Sequence, residues 1–300
     1  MQYEKRPTTY EEQADKLLSR GLIADREELL QRLNSVSYYR LSGYLYPFRK
    51  SDSDHQYREG TTLKLVWSRY CFDRRLRVLV LDAIERIEVS ARTKLVHRFA
   101  HAYGPFGYLD DRNLPQLKIE TYLEWRANLV EETRRSKETF KKHFFETYGD
   151  HHKELPVWML AELMSMGSTL TFFKGADPDI MRKIAAEYGL VDELFLSWFL
   201  SLNAARNICA HHSRFWNREL GYAPLLPSKN KFPAWHGESK LKNTRSGIIL
   251  MICRHMLALI TPTSQWRGRV ENLFVEYPEI SPQDMGLPHD WKAHRVWTQT

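Results

Sequence analysis

The sequence predicts an all-α protein whose helices pack as a bundle around a core. Apolar residues recur at helical spacing along most of the 300 residues, and capping signals precede several of these runs. No segment shows the alternation typical of a strand, and no NG or DG hairpin turn is present. Hydrophobic residues make up 43% and charged residues 27%, which are the proportions of a globular chain and exclude the disordered class.

The first helices are indicated by capping residues. Thr9 with Glu12, and Asp25 with Glu28, have the spacing of a side chain that accepts from the backbone three residues later. An aromatic segment follows at residues 36–48, VSYYRLSGYLYPF. We expect it to be compact and to end near its proline, because proline cannot continue a helix.

The longest uninterrupted run is residues 63–102, which contain neither Gly nor Pro. Its apolar spacing predicts one long helix or two abutting helices, and Gly104 ends it. Further helices are predicted at 119–148, from Pro156 onward, 178–189, 192–212, 241–261, 266–276 and from Pro282 onward. We divide the chain into an N-terminal helical region, a helical core and a C-terminal helical extension, at residues 1–60, 61–262 and 263–300.

Cysteine usage and hydropathy predict a cytoplasmic protein without membrane association. Cys71, Cys209 and Cys253 are widely spaced and form no CxxC pair, which argues against disulfides and a zinc ribbon. The first residues are polar rather than apolar, so we expect no signal peptide. We expect no metal site, since Asp150, His151 and His152 lack further spaced ligands.

The predicted helix 192–212 changes character along its length. Its first half is apolar on all sides, which predicts burial. The second half places Asn203, Asn207 and His211 at i, i+4 spacing, with Arg206 beside them. Buried polar groups need hydrogen-bond partners, and a buried arginine needs an anion. That anion is either a structural carboxylate or the phosphate of a ligand.

Positive charge is concentrated after this stripe. The formal net charge is +7, and residues 206–245 hold eight Lys or Arg against two acids. Such a concentration beside an unexplained arginine is typical of a phosphate-binding surface. A purely solubilising role for these lysines is the alternative interpretation.

The segment RNICAHHSRFWNR, which begins at Arg206, resembles the Abi-like family (AbiD/AbiF type) of bacterial abortive-infection proteins. Its first six residues, RNICAH, match the R-x4-H motif of the HEPN superfamily of helical ribonucleases. The aromatic segment YYRLSGYLYPF, the tetrapeptide ERIE that contains Glu85 and Glu88, and MGLPHDW near the C-terminus are also similar. A second R-x4-H match, from Arg92 to His97, is interpreted as a chance occurrence on the long helix, since the bare pattern is short.

The resemblance implies a HEPN-like helical bundle and a metal-independent endoribonuclease effector of anti-phage abortive infection. Arg206 is expected to hold the phosphate, His211 to act as acid or base, and Asn207 either to orient His211 or to hold a phosphate oxygen. Family members commonly dimerise so that two motifs share one cleft, and we therefore expect a homodimer. No cofactor is expected, while a toxin-like activity makes an RNA or protein antitoxin a plausible partner.

Several other residues are candidates for supporting roles. Asn203 and either Glu85 or Glu88 are expected beside the catalytic residues, with one carboxylate paired to Arg206. The candidate RNA contacts are His212, Arg214, Arg218, Lys229, Lys231, Tyr39 and Arg40. We place His212 on the apolar face of the helix, where a structural role competes with RNA contact. Tyr38 and Tyr39 belong either to the core or to a base-stacking surface.

Two other functions fit the same residues. The chain is either the ribonuclease just described, a non-catalytic protein that holds a structured non-coding RNA, or a scaffold for other proteins. Salt-dependent RNA binding separates the first two from the third, and RNA cleavage separates the first from the second.

Overall fold

The computed structural model describes residues 2, 4, 6–51, 55–237 and 240–299. Within these residues it contains thirteen α-helices and no strand, so the prediction of an all-α fold is confirmed. The helices are α1 Tyr10–Ser19, α2 Arg26–Val36, α3 Tyr38–Leu45, α4 Leu63–Tyr103, α5 Ile119–Arg135, α6 Thr139–Tyr148, α7 Val157–Leu160, α8 Met166–Gly175, α9 Pro178–Glu187, α10 Asp192–Ala210, α11 Gly247–Ile260, α12 Trp266–Glu276 and α13 Arg295–Thr298.

Helix α4 is the axis of the fold. It runs unbroken for 41 residues, because no Gly or Pro interrupts it, and it ends at Gly104, whose φ of +77° suits glycine. Its buried side chains recur at helical spacing from Leu63 to Phe99. Helices α3, α7, α8, α9, α10, α11 and α12 all pack against it. The alternative of two abutting helices is therefore wrong.

The capping residues act as the sequence predicts. Thr9 accepts from the backbone of Glu12 and Glu12 accepts from the backbone of Thr9, which completes a capping box. Asp25 accepts from the backbone N–H of Glu28 at the start of α2. Each pair satisfies backbone N–H groups that the first turn of a helix leaves without partners.

Several predicted helix boundaries are wrong. The run 119–148 is divided into α5 and α6 by an extended stretch at Ser136. The helix after Pro156 lasts four residues, and α8 begins separately when Ser165 caps it. Helix α11 begins at Gly247 rather than at residue 241. Gly247 lies so close to the backbone of Met285 that a Cβ at position 247 would be 2.6 Å from the carbonyl oxygen of Met285.

A buried ionic cluster joins three segments of the chain at the middle of the fold. The carboxylate of Asp73 on α4 accepts from the hydroxyl of Tyr44 on α3 at 2.6 Å and from the guanidinium of Arg77. It also accepts from the backbone N–H groups of Phe215 at 3.0 Å and Trp216 at 2.6 Å. All four partners donate, so the ionised carboxylate is the form that satisfies them.

Burial raises the pKa of Asp73, while its four donors oppose this rise because they stabilise the charged form. The geometry, in which every partner donates, favours the carboxylate, and the protonation of the neighbouring groups agrees with it. Burial raises the pKa of the Tyr44 hydroxyl, and the charge of Asp73 adds to that effect. Burial alone would lower the pKa of Arg77, but Asp73 and Tyr44 raise it above its ordinary value. Tyr44 therefore remains a donor and Arg77 remains a cation.

No helix in the described part of the chain combines the length and the apolar composition that a membrane crossing requires.

Replacing Asp73 with Asn is expected to lower the free energy of unfolding by about 3–5 kcal/mol, because Arg77 then loses its buried counter-charge. Asp179→Asn is the matched control. That carboxylate is 66% exposed and pairs with Arg182, so its loss is expected to cost less than about 1 kcal/mol. Urea unfolding followed by circular dichroism measures both. Equal effects would show that the Asp73 cluster contributes no more than a surface ion pair.

Candidate functional site

The polar stripe of α10 lies at the surface rather than inside the protein. In the first half of the helix most side chains are buried, as predicted. From Asn203 onward only Ala205 and Cys209 remain buried, whereas Asn207 and His211 are exposed and Asn203 and Arg206 are half-buried. The expectation of buried polar groups is wrong here, because this end of α10 reaches the edge of the bundle.

Arg206 has no carboxylate partner among the described residues. Its guanidinium donates to the side-chain oxygen of Asn207 at 3.3 Å. The predicted pairing of Arg206 with Glu85 or Glu88 is wrong. Glu88 instead forms an ion pair with Arg92 at 3.3 Å, and Glu85 is exposed.

Arg206 is nevertheless close enough to Glu88 to affect the pKa of its carboxyl group. Burial raises the pKa of Glu88, while the cations Arg92 and Arg206 oppose this rise and Glu85 adds to it. Because Arg92 already holds this carboxylate, the guanidinium of Arg206 is left free to bind another anion.

The two histidines lie in the turn that ends α10. His211 is the C-cap residue, and His212 adopts a φ of +57°. The N–H of Ser213 donates to Ile208 at 2.9 Å and that of His212 to Cys209 at 3.1 Å, which defines a Schellman motif. The helix ends at Ala210, so the placement of His212 on its apolar face is wrong. A non-glycine residue in this conformation is strained.

Three arginines beside this turn donate hydrogen bonds to backbone carbonyl oxygens. Arg40 on α3 donates to the carbonyl oxygen of His212. Arg214 donates to the carbonyl oxygen of Gly43 at 2.7 Å, and Arg218 donates to the carbonyl oxygen of Arg214 at 3.2 Å. These predicted RNA contacts therefore have structural partners, although Arg40, Arg214 and Arg218 each keep part of their side chain in contact with solvent.

The lysines lie elsewhere on the protein. Lys229 and Lys231 are exposed on a loop that is anchored to the first half of α10, where the indole of Trp198 donates to Leu225 at 2.9 Å. Trp198 and His211 are thirteen positions apart along α10, a distance of about 20 Å at 1.5 Å per residue. Of the positive charge that is concentrated in the sequence, Lys229 and Lys231 thus lie away from His211, whereas Arg206, Arg214 and Arg218 lie near it.

The remaining candidates are the two tyrosines of α3, the second R-x4-H match and the Asp150–His152 group. The side chain of Tyr39 is 89% exposed on α3, whereas Tyr38 is half-buried and accepts from Arg20 at 3.1 Å. The second R-x4-H pair, Arg92 and His97, lines a separate groove between α4 and α7. Of the Asp150–His152 group, His152 stacks on Phe106 at a ring separation of 4.5 Å.

The sequence pattern of the family described as Abi-like protein matches residues 31–217. The chain belongs to this family. Membership suggests a role in abortive infection, that is, in resistance to phages. No curated protein and no solved structure shows significant similarity to this Abi-like protein.

The matched range ends directly after the turn that follows α10. It includes the Asp73 cluster, Arg40 and the Arg206–His211 motif, and it excludes the loop of Lys229 and Lys231. It also excludes MGLPHDW, so that part of the resemblance stays a prediction. Two arginines of α4 that the sequence analysis missed, Arg74 and Arg77, lie within the range and line a cavity beside His212. Their i, i+3 spacing in a helix was the available signal.

In this Abi-like protein His212→Gly is expected to raise the free energy of unfolding by about 0.5–1 kcal/mol, because glycine adopts positive φ without strain. His211→Gly is the matched control. It adds the same chain flexibility at a φ of −86°, where no strain is relieved, and should lower the stability instead. Thermal unfolding compares the two. A loss of stability in both variants would contradict the assignment of strain to His212.

Proposed function

We propose that this Abi-like protein is a HEPN-type endoribonuclease effector of abortive infection, with Arg206, Asn207 and His211 as its catalytic residues. The observation that carries the proposal is the state of Arg206. Its guanidinium is half-buried beside α4, yet it has no carboxylate partner among the described residues. Five residues later, about 7.5 Å along the helix, His211 is exposed.

This arrangement supplies the groups that RNA transesterification needs. The 2′-hydroxyl of RNA attacks the adjacent phosphorus, the bond to the 5′-oxygen breaks, and the products carry a 2′,3′-cyclic phosphate and a 5′-hydroxyl. Histidine exchanges protons near neutral pH, which suits His211 to take the proton of the 2′-hydroxyl. Arg206 neutralises the charge that develops on the phosphate, and Asn207 orients Arg206 through its hydrogen bond. Neither a metal nor a cofactor takes part.

A second copy of the chain completes the site in this proposal. One histidine cannot take the first proton and supply the second in a single step, so two motifs facing one cleft are required. An exposed stripe on α4 offers a surface for that contact. Val78, Glu85 and Val89 share it, and the two valines are 62% and 43% exposed. A ribonuclease of this kind also needs restraint before infection, which an RNA or protein antitoxin would provide.

Replacing Arg206 or His211 with Ala is expected to lower RNA cleavage at least about 10²-fold and to abolish growth arrest on expression. His97→Ala is the matched control, because His97 is the exposed histidine of the other R-x4-H pair. Cleavage of a labelled RNA in EDTA, with analysis of the cyclic phosphate, provides the measurement.

The other functions give different results in the same experiment. If the wild type leaves RNA intact but copurifies with one RNA, and both alanine variants do the same, the protein is a non-catalytic RNA-binding protein. If neither cleavage nor copurified nucleic acid is found, the scaffold interpretation is supported and the ribonuclease proposal is wrong.

Val89→Asp is expected to convert the dimer to monomers and to lower the cleavage rate per chain, because it places a charge in an apolar contact. Val130→Asp on α5 is the control, since Val130 is 48% exposed and α5 packs mainly against α8 rather than against α4. Light scattering gives the mass, and cleavage is measured over a range of protein concentrations. A wild type that stays monomeric while cleaving at full rate would refute the composite site.

A further inference from the structure

A cavity of about 450 Å³ opens beside the turn that ends α10. It lies between α3, α4 and this turn, and three arginines line it together with aromatic residues and the apolar side chains of Val78 and Leu81. The residues that matter here are Arg40, Tyr70, Arg74, Arg77, Cys209 and His212. No carboxylate within the described part of the chain lines it.

The charge of this wall is only partly neutralised. Arg77 is paired with buried Asp73, and Arg40 donates to the carbonyl oxygen of His212, which carries no formal charge. Arg74 is exposed and makes no hydrogen bond or ion pair with any described residue. Arg75, the next residue, contrasts with it, because Arg75 pairs with Glu276. Arg40 and Arg74 thus face a cavity in which no carboxylate of the described residues neutralises their charge. This leaves both arginines able to bind the anion of a ligand.

The cavity lies on the same seam as the proposed catalytic residues. Helices α4 and α10 pack side by side in opposite directions, since Tyr188 before α10 is hydrogen-bonded to Ser90 while Phe215 after α10 donates to Asp73. Six residues separate Arg206 from His212, about 9 Å at a helical rise. A strand with the rise of a DNA duplex, about 3.4 Å per nucleotide, advances that far in roughly three nucleotides.

We infer that this cavity is a second phosphate subsite, which binds a phosphodiester of the same RNA strand a few nucleotides from the scissile one. Arg40 and Arg74 hold the phosphate oxygens, and Tyr70 and His212 form the wall against which the nucleotide rests. The inference rests on the RNA substrate of the proposed function. It assigns RNA affinity to arginines of α3 and α4 rather than to the lysine loop.

The test measures RNA binding separately from cleavage. A fluorescent single-stranded RNA is titrated with protein that carries His211→Ala, and anisotropy is followed at several salt concentrations. Arg74→Gln is expected to weaken binding about tenfold and to reduce the slope of log affinity against log salt by about 0.7. Arg75→Gln removes the same formal charge one residue away and is expected to change affinity less than about twofold. Arg74 is exposed and unpartnered, so folding should be unaffected.

Three results would overturn the inference. Equal losses from Arg74→Gln and Arg75→Gln would reveal diffuse charge rather than a subsite, and no loss from either would place the RNA elsewhere. Binding of poly-glutamate that depends on Arg74, when RNA binding does not, would assign the cavity to an acidic protein.

Cleavage by the chain with intact His211 is measured in parallel, so the two proposals can fail separately. If no RNA is cleaved and Arg74 is still needed for binding, the catalytic proposal fails and the subsite stands. If RNA is cleaved and Arg74→Gln has no effect on binding or cleavage, the subsite is wrong and the ribonuclease proposal stands.

Discussion

The buried carboxylate of Asp73 is the constraint on which the rest of the structure depends. It accepts from α3 through Tyr44, from its own helix through Arg77, and from the chain after α10 through two backbone N–H groups. A charge in this position is stable only while every partner is in place, because its desolvation is costly. The position of the turn that carries His211 and His212 is therefore coupled to α3 and α4.

Two segments that are 172 residues apart in sequence meet because of this cluster. The YYRLSGY segment supplies Tyr44 to Asp73, Arg40 to the carbonyl oxygen of His212, and the carbonyl oxygen of Gly43 to Arg214. These contacts give the segment a physical role, which is to hold the end of α10. The same contacts bring Arg40 beside Arg74, so that positive charge collects at the seam between α4 and α10.

The sequence was sufficient to predict the fold class and the long helix, because helical periodicity and caps are local signals. It did not predict where α11 begins. The first residue of this helix, Gly247, packs closely against the backbone of Met285, which is distant in sequence. The pairing of Glu88 with Arg92 is a local contact one turn apart on α4, but Arg206 of α10 is a second cation near Glu88. Either arginine could have been its partner, and only packing decides between Arg92 and Arg206.

Of the sequence signals, the clustering of charge predicted positions in the structure least well. The lysines that follow the motif in sequence lie along a loop anchored near Trp198, about 20 Å from His211. The arginines next to His212 come from α3 and α4, far earlier in the chain. Clustering in sequence indicated basic character but not its location, because a surface is assembled from distant segments.

Crosslinking of bound RNA to the protein tests the central claim, that RNA lies along the seam between α4 and α10, most directly. Ultraviolet irradiation of the complex with His211→Ala protein, followed by mass spectrometry of the peptides, identifies the residues in contact. We predict crosslinks at residues 38–40, 70–78 and 206–216. Crosslinks confined to the loop at residues 221–237 would contradict the account.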